Sequence, residues 1–229
     1  MSTIERAVLL IGSAKREGES TSEALGSHLM TKLNSYGVAT STFAVHRALR
    51  MPDRTTALLD AIDGCNVFVL AFPLYVDTLP SLATRALEMI VARRSEPNGM
   101  HQPWFLAIAN CGFPEAGHND VALAICEQFA AAARMRWAGG LAVGAGGAIH
   151  GSAVNERGMT HNVARALDLT AAALATDQPA PQQAITLIRT PMMPVRLYTF
   201  MGNLGWHRMA QLNGVWRRLG DRPFSTSNQ

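Results

Sequence analysis

The stretch Val8-Leu9-Leu10-Ile11-Gly12-Ser13-Ala14-Lys15-Arg16-Glu17-Gly18-Glu19-Ser20-Thr21-Ser22 decides the fold. A continuous apolar run ends at Gly-Ser, a basic glycine-bearing loop follows, and three consecutive hydroxyl residues open a helix. A run that is apolar at every position predicts a strand buried on both faces, as in a parallel sheet. The junction after it has the makings of an anion seat: free backbone N–H groups, the positive end of a helix dipole and hydroxyl donors. The plainer reading is an N-capped helix after a turn, where serine and threonine are favoured anyway. The spacing excludes a Walker-type P-loop, because Glu19 stands where that motif needs lysine.

Downstream, apolar runs and helical patterns alternate. Ala7–Ile11, Val38–Val45, Val67–Phe72, Trp104–Ala109 and Gly140–Val143 read as strands. Ser20–Ser35, Arg54–Asp63, Pro80–Arg94, Asp120–Arg136 and Asn155–Thr176 read as helices. Pro80 suits a first helical turn, and Leu82, Leu87, Ile90 and Val91 form the apolar stripe of that helix. The alternation predicts an α/β three-layer sandwich around a five-stranded parallel sheet of order 2-1-3-4-5. Residues 1–176 are expected to form the binding domain. Asp177–Gln183, with two prolines, reads as a linker. The arginine-rich remainder to 229 reads as a partly helical extension lying on the body or on a partner subunit, with Ser225–Gln229 disordered.

Composition narrows the class. The 229 residues carry a net charge of +3, and Lys15 and Lys32 are the only lysines. No basic run marks a nucleic-acid arm. Cys65, Cys111 and Cys126 are odd in number and lie far apart. That argues against a disulfide scaffold, a zinc site or an iron–sulfur cluster. No signal-peptide pattern opens the chain, and Ala138–Ile149 is too short and glycine-rich to span a bilayer. A reducing cytoplasm is the expected compartment.

In this architecture a ligand sits beyond the carboxyl ends of the strands, so the loops there are read together. After the first loop comes Pro73-Leu74-Tyr75-Val76-Asp77-Thr78-Leu79-Pro80, whose prolines hold the backbone away from helix geometry. Its peptide groups suit the edge of a flat heterocycle, with Tyr75 as cover; a helix approach with a structural tyrosine is the alternative. Asn110-Cys111-Gly112-Phe113-Pro114-Glu115-Ala116-Gly117-His118-Asn119 follows the fourth strand. Cys111 suits a nucleophile with His118 or His150 as base, or, more simply, a small residue lining a pocket. Glu115 has no carboxylate partner for glycosidase chemistry. The last loop, Gly144-Ala145-Gly146-Gly147-Ala148-Ile149-His150-Gly151, misses the dinucleotide fingerprint at Ile149. It suits either close approach to a planar ligand or a flexible connection. His28, His46 and His207 read as surface or packing residues.

Together these loops resemble the NAD(P)H-dependent FMN reductase family of flavodoxin-like proteins. The resemblance rests on Gly12-Ser13-Ala14-Lys15 with Ser20-Thr21-Ser22, on Pro73-Leu74-Tyr75 with Pro80, and on Cys111-Gly112-Phe113-Pro114-Glu115, over residues 5 to 175. It implies bound FMN, NAD(P)H as co-substrate and a homodimer or higher homo-oligomer. It places the phosphate on Ser13, Lys15, Ser20, Thr21 and Ser22. It places the ring against Pro73, Leu74, Tyr75 and Val76, largely through backbone groups. Asn110, Cys111, Gly112 and Phe113 would flank the pyrimidine edge, with Gly146 and Gly147 approaching from beside. Ala14 and one extra residue depart from the family's first loop. His46–Asp53 lacks the cysteines of its iron–sulfur branch. The implied reaction passes a hydride from NAD(P)H through flavin to a quinone, flavin, nitro, azo or metal acceptor. The alternatives are a flavodoxin-type electron carrier and a flavin-free binding protein on the same fold.

Overall fold

The structure is a computed structural model that describes residues 4–95, 101–149, 154–155 and 157–221. His150 and Ser225–Gln229, singled out above, lie outside the described residues. The elements run β1 (Arg6–Ile11), α1 (Thr21–Ser35), β2 (Ala39–Ala44), α2 (Val45–Ala48), α3 (Pro52–Asp63), β3 (Val67–Pro73), α4 (Ser81–Arg94), β4 (Trp104–Asn110), α5 (Asp120–Ala132), β5 (Arg136–Val143), α6 (His161–Ala175), α7 (Gln182–Ile188) and α8 (Val195–Leu212). The five strands form one parallel sheet of order β2-β1-β3-β4-β5.

The period-2 geometry of a strand sorts the core into two layers. Leu9, Val69, Ile108 and Leu141 face α1 and α6, while Leu10, Phe68, Leu70 and Phe105 face α3, α4 and α5. The two halves are of similar extent, so β1, β3 and β4 have no polar face, and their sequences show none. β2 is an edge strand and is only partly buried, which explains its interleaved threonines and serine. On the second face Phe68, Phe105 and Phe129 pack ring against ring, with centroids 4.8–6.5 Å apart.

Three expected boundaries move by four residues or more. The helix read as Asp120–Arg136 stops at Ala132, the strand read as Gly140–Val143 begins at Arg136, and the helix read as Asn155–Thr176 begins at His161. Arg134 turns left-handed at φ 55, and Met135 N–H bonds back to Ala130 C=O, closing the helix without glycine. β5 then carries a bulge: Phe105 pairs with Trp137 but Leu106 with Gly139, leaving Ala138 as the extra residue. The Ala138 carbonyl accepts from Ala180 N–H and so ties in the segment after α6. Of the α4 stripe, Leu87 and Ile90 are buried, whereas Leu82 and Val91 lie at its margin.

The chain divides into two compact units, Met1–Met192 and Met193–Gln229. The first runs through α7 because Ala184 and Ile188 are buried in the same layer as α6. Asp177 receives the Trp104 indole N–H and Arg136, both at 2.8 Å, and these donors hold its carboxyl below the usual range. The second unit holds α8 and a turn at Trp216–Arg218. No helix among the described residues is long and apolar enough to cross a membrane.

Burial pushes the Cys65 and Cys126 thiols up to about 12 from 9.0. The unfolded chain therefore ionises first as pH rises. These thiols contribute their full stability below pH 9.0 and lose it between there and about 12. Urea unfolding at about pH 8 and pH 10.5 is expected to show a fall approaching ~1.4 kcal/mol per pH unit for each thiol. The double variant Cys65→Ala, Cys126→Ala should show a shallower fall; an unchanged slope would place the loss elsewhere.

Candidate functional site

Gly12 leaves β1 in contact with β3: its N–H bonds Ala71 C=O at 2.7 Å, and a Cβ here would stand 2.8 Å from Phe72 Cβ. The glycine serves close approach rather than an unusual dihedral. The chain then reaches α1, whose N-cap is Ser20; its hydroxyl accepts from Glu23 N–H. Thr21 and Ser22 are the first two helical residues, so their N–H groups have no intrahelical acceptor. α1 is fixed against α6 by Asp168, which meets His28 at 2.9 Å and Lys32 at 3.2 Å.

One cleft of 260 Å³ opens at the carboxyl ends of the strands. It is lined by Ser13, Lys15, Ser20, Thr21, Ser22, Pro73, Leu74, Tyr75, Asn110, Cys111, Gly112, Gly146 and Gly147. Thirteen of the residues singled out in the sequence thus border a single space. Val76 and Phe113 do not line it. Val76 is 95% exposed at a turn tip, and the exposed Phe113 packs at a tilt against the His118 imidazole, with centroids 4.4 Å apart.

The hydroxyls divide into two kinds. Thr21 Oγ1 donates to Gly146 C=O and Ser22 Oγ to Asn110 Oδ1, both at 2.8 Å and both buried. A hydroxyl has one hydrogen, so these two fasten α1 to the β4 and β5 loops and present only lone pairs to an anion. Ser13 and Ser20 accept from backbone N–H groups and keep their own hydrogens. Anion donors in this cleft are therefore Ser13, Ser20, the N–H groups of Thr21 and Ser22, and Lys15. Of the four hydroxyls expected at a phosphate, two close the loops, and Thr21 and Ser22 face the cleft as the first residues of α1.

The β4 and β5 loops are laced together. Cys111 N–H bonds Val143 C=O, Ala145 N–H bonds Phe113 C=O, and Gly146 N–H bonds Cys111 C=O. Asn119, wholly buried, adds Nδ2 contacts to Ala116 C=O at 3.0 Å and Val143 C=O at 3.3 Å. The sequence places Asn119 at the end of this loop without a role; its side chain makes no cap to the following helix and turns inward. Asn110 lends Oδ1 to Ser22, while no described residue accepts from its Nδ2, which leaves that donor to the cleft. The Cys111 thiol is buried, and burial pushes its pKa up. It donates to Phe113 and Glu115 carbonyls and is not paired with His118, which faces Glu115 at 3.9 Å. A protonated thiol with no base beside it is a pocket wall rather than a nucleophile.

The Pro73–Pro80 loop is a miniature hairpin. Tyr75 and Thr78 exchange both backbone bonds, at 3.0 and 3.1 Å, around Val76 (φ 48) and Asp77 (φ 58). Leu74 N–H is held by Asn110 C=O. The N–H groups of Leu74 and Tyr75 are thus spent within the protein, and Tyr75 offers the cleft its half-exposed ring. Two non-glycine residues at positive φ store strain, most of it at the β-branched Val76. Val76→Gly is expected to raise stability by about 1 kcal/mol in a chemical melt, the relieved strain outweighing the added chain entropy. A loss of stability would show that the turn is unstrained.

No protein-family model and no curated protein matches this sequence. Solved structures do match. An NADH:FMN oxidoreductase in its apo form superposes with a TM-score of 0.54 at 13% identity, over 83% of this chain and 96% of that one. An azoreductase from Bacillus anthracis str. Sterne gives 0.50 at 9% identity, over 76% and 100%. A flavodoxin from Streptococcus pneumonia TIGR4 gives 0.52 at 10% identity, over 75% and 98%. At such identities the likeness carries architecture alone. With its strand order and crossovers, the chain has the flavodoxin-like fold, and its cleft lies at the carboxyl ends of the central strands.

Proposed function

We propose that this protein is an FMN-dependent oxidoreductase that takes a hydride from NAD(P)H and passes electrons to a small acceptor such as a quinone, flavin, nitro or azo compound. The observation that carries the reading is the single cleft joining a cationic, N–H-rich end at Lys15 and α1 to a wall formed by Tyr75, Asn110 and Gly112. The activities for which the NADH:FMN oxidoreductase and the azoreductase are named agree with it.

The residues present fit FMN. Lys15 makes no ion pair among the described residues and would neutralise the phosphate, with Ser13, Ser20 and the α1 N–H groups donating. A Cβ at Gly112 would meet nothing within 4 Å, so backbone alone borders the cleft there. Asn110 Nδ2 would donate to the ring's pyrimidine edge, and Tyr75 would cover a face. Bound FMN supplies hydride acceptance and electron transfer; the protein supplies orientation and electrostatics. No general base is required, in keeping with the protonated Cys111. The three cysteines are free and buried, which suits a reducing compartment such as the cytoplasm.

Quenching of flavin fluorescence tests the site, and anaerobic mixing with NADPH and NADH tests the reaction. FMN is expected to bind about tenfold or more tightly than riboflavin, a preference that Lys15→Ala removes. Either nicotinamide should bleach the flavin. Protein that binds no flavin sinks the proposal. Binding without bleaching by either nucleotide leaves a flavodoxin-type carrier.

For the homodimer we propose the second unit as the contact. Leu197, Phe200, Met201 and Leu204 on α8 follow helical spacing and are exposed. Leu204→Lys should shift the sedimentation coefficient to that of a monomer; an unchanged assembly would place the contact elsewhere.

A further inference from the structure

A second cleft, of 380 Å³, adjoins the first at the end of β2. The two share Ser13 and Lys15 and otherwise diverge, one toward Tyr75 and the other toward Phe43 and α3. The residues that would hold a phosphate therefore stand at a junction, and a ligand with its phosphate there has a second direction open to it. The second cleft has mixed chemistry. Ile11, Phe43 and several alanines give it an apolar wall. Its two carboxylates are already engaged: Glu17 pairs with Arg47 at 3.1 Å, and Glu23 accepts from Gly18 N–H at 2.9 Å. Arg54, like Lys15, has no acidic partner among the described residues. Free cations beside an apolar wall suit a purine nucleoside carrying phosphate.

We propose that this second cleft seats the adenosine-phosphate end of a nucleotide whose other end lies in the first cleft or against the flavin bound there. The continuity of the two ends rests on the flavin reading above; the adenosine seat does not. Flavin and nicotinamide dinucleotides both carry such an end. In FAD the adenylate continues from the flavin phosphate, and in NADPH the adenosine bears a 2′-phosphate.

The test is equilibrium binding by calorimetry to the full chain, using adenosine 2′,5′-bisphosphate, AMP, FAD, FMN and pyrophosphate as separate probes. Arg54→Ala and Ala57→Phe alter exposed positions on α3, so folding is not at stake. Both should weaken the adenosine probes by about tenfold and leave FMN binding unchanged. Tighter binding of FAD than FMN, lost in both variants, assigns the seat to the flavin's own adenylate. Preference for the 2′,5′-bisphosphate over AMP, with FAD no better than FMN, assigns it to NADPH. FMN binding with no adenosine probe bound, or adenosine probes no better than pyrophosphate, overturns the inference and leaves the flavin reading standing. Adenosine probes that bind protein unable to bind FMN support the seat and remove the flavin reading instead.

Discussion

Gly144→Ala should yield protein that binds FMN far more weakly and unfolds earlier. A Cβ at position 144 would stand 2.3 Å from the Pro114 carbonyl oxygen, 2.9 Å from its carbon and 3.0 Å from Ala116 N. All three are backbone atoms, so no rotamer change relieves the clash. The β4 and β5 loops must separate, and their lacing through Cys111, Phe113, Ala145 and Gly146 lies directly beside the point of contact. Overpacking of this kind costs about 1–3 kcal/mol, and the same energy lost from the cleft is about a 5- to 150-fold loss of affinity. Gly112→Ala is the control: its Cβ would meet nothing within 4 Å, so stability should stay near that of the parent. Measurement is by flavin fluorescence titration and urea unfolding on both variants. If Gly144→Ala kept parental affinity, the loops could not be the rigid wall described above.

The sheet was legible because burial on both faces leaves an unmistakable mark. β1, β3 and β4 are apolar at nearly every position, and their spacing by helices forces parallel crossovers. The end of α5 was not legible for an equally physical reason. Arg134 adopts a left-handed conformation that glycine or asparagine would have announced, and no proline follows. The helix pattern therefore ran on into β5. Likewise α7 begins inside the segment read as linker, since Pro181 serves as its N-cap and not as a breaker.

The cleft was legible through topology: a loop after a central strand of such a sheet faces the ligand, whatever its detailed sequence. What each hydroxyl does there was not. Thr21 and Ser22 look identical to Ser20 in the sequence, yet the first two find acceptors 125 and 88 residues away. Only the folded chain brings those acceptors near. The Val76-Asp77 turn was hidden for a different reason, since such tight hairpins normally carry asparagine or glycine at the positive-φ positions. The strain itself is the departure from the rule, and it sits at the rim of the proposed site, where rule-breaking residues tend to gather.

Arg94→Ala is expected to cause the largest loss of stability. The helical period of α4 places Ala83, Ala86, Leu87 and Ile90 inward, and the next inward position is Arg94, which is 3% exposed. Its guanidinium meets three different parts of the first unit. Nε donates to Ala133 C=O at 2.8 Å, Nη2 to His101 C=O at 2.9 Å, and Nη1 pairs with Asp63 at 3.1 Å. It thereby satisfies a C-terminal carbonyl of α5, the approach to β4 and the end of α3 at once. Truncation leaves buried carbonyls without donors, and breaking such a pair from one side costs about 3–5 kcal/mol. For a domain of typical stability, about 5–15 kcal/mol, that is a large share of the total. The neighbouring Arg93 is the comparison. It reaches Asp60 and Asp63 but is 39% exposed, so Arg93→Ala should cost about 1 kcal/mol or less. The two residues are indistinguishable as letters at a helix end, and only the 3.6-residue period separates them. Urea denaturation of the two variants measures the difference. Equal losses would mean that Arg94 is held by its surroundings and does not hold them.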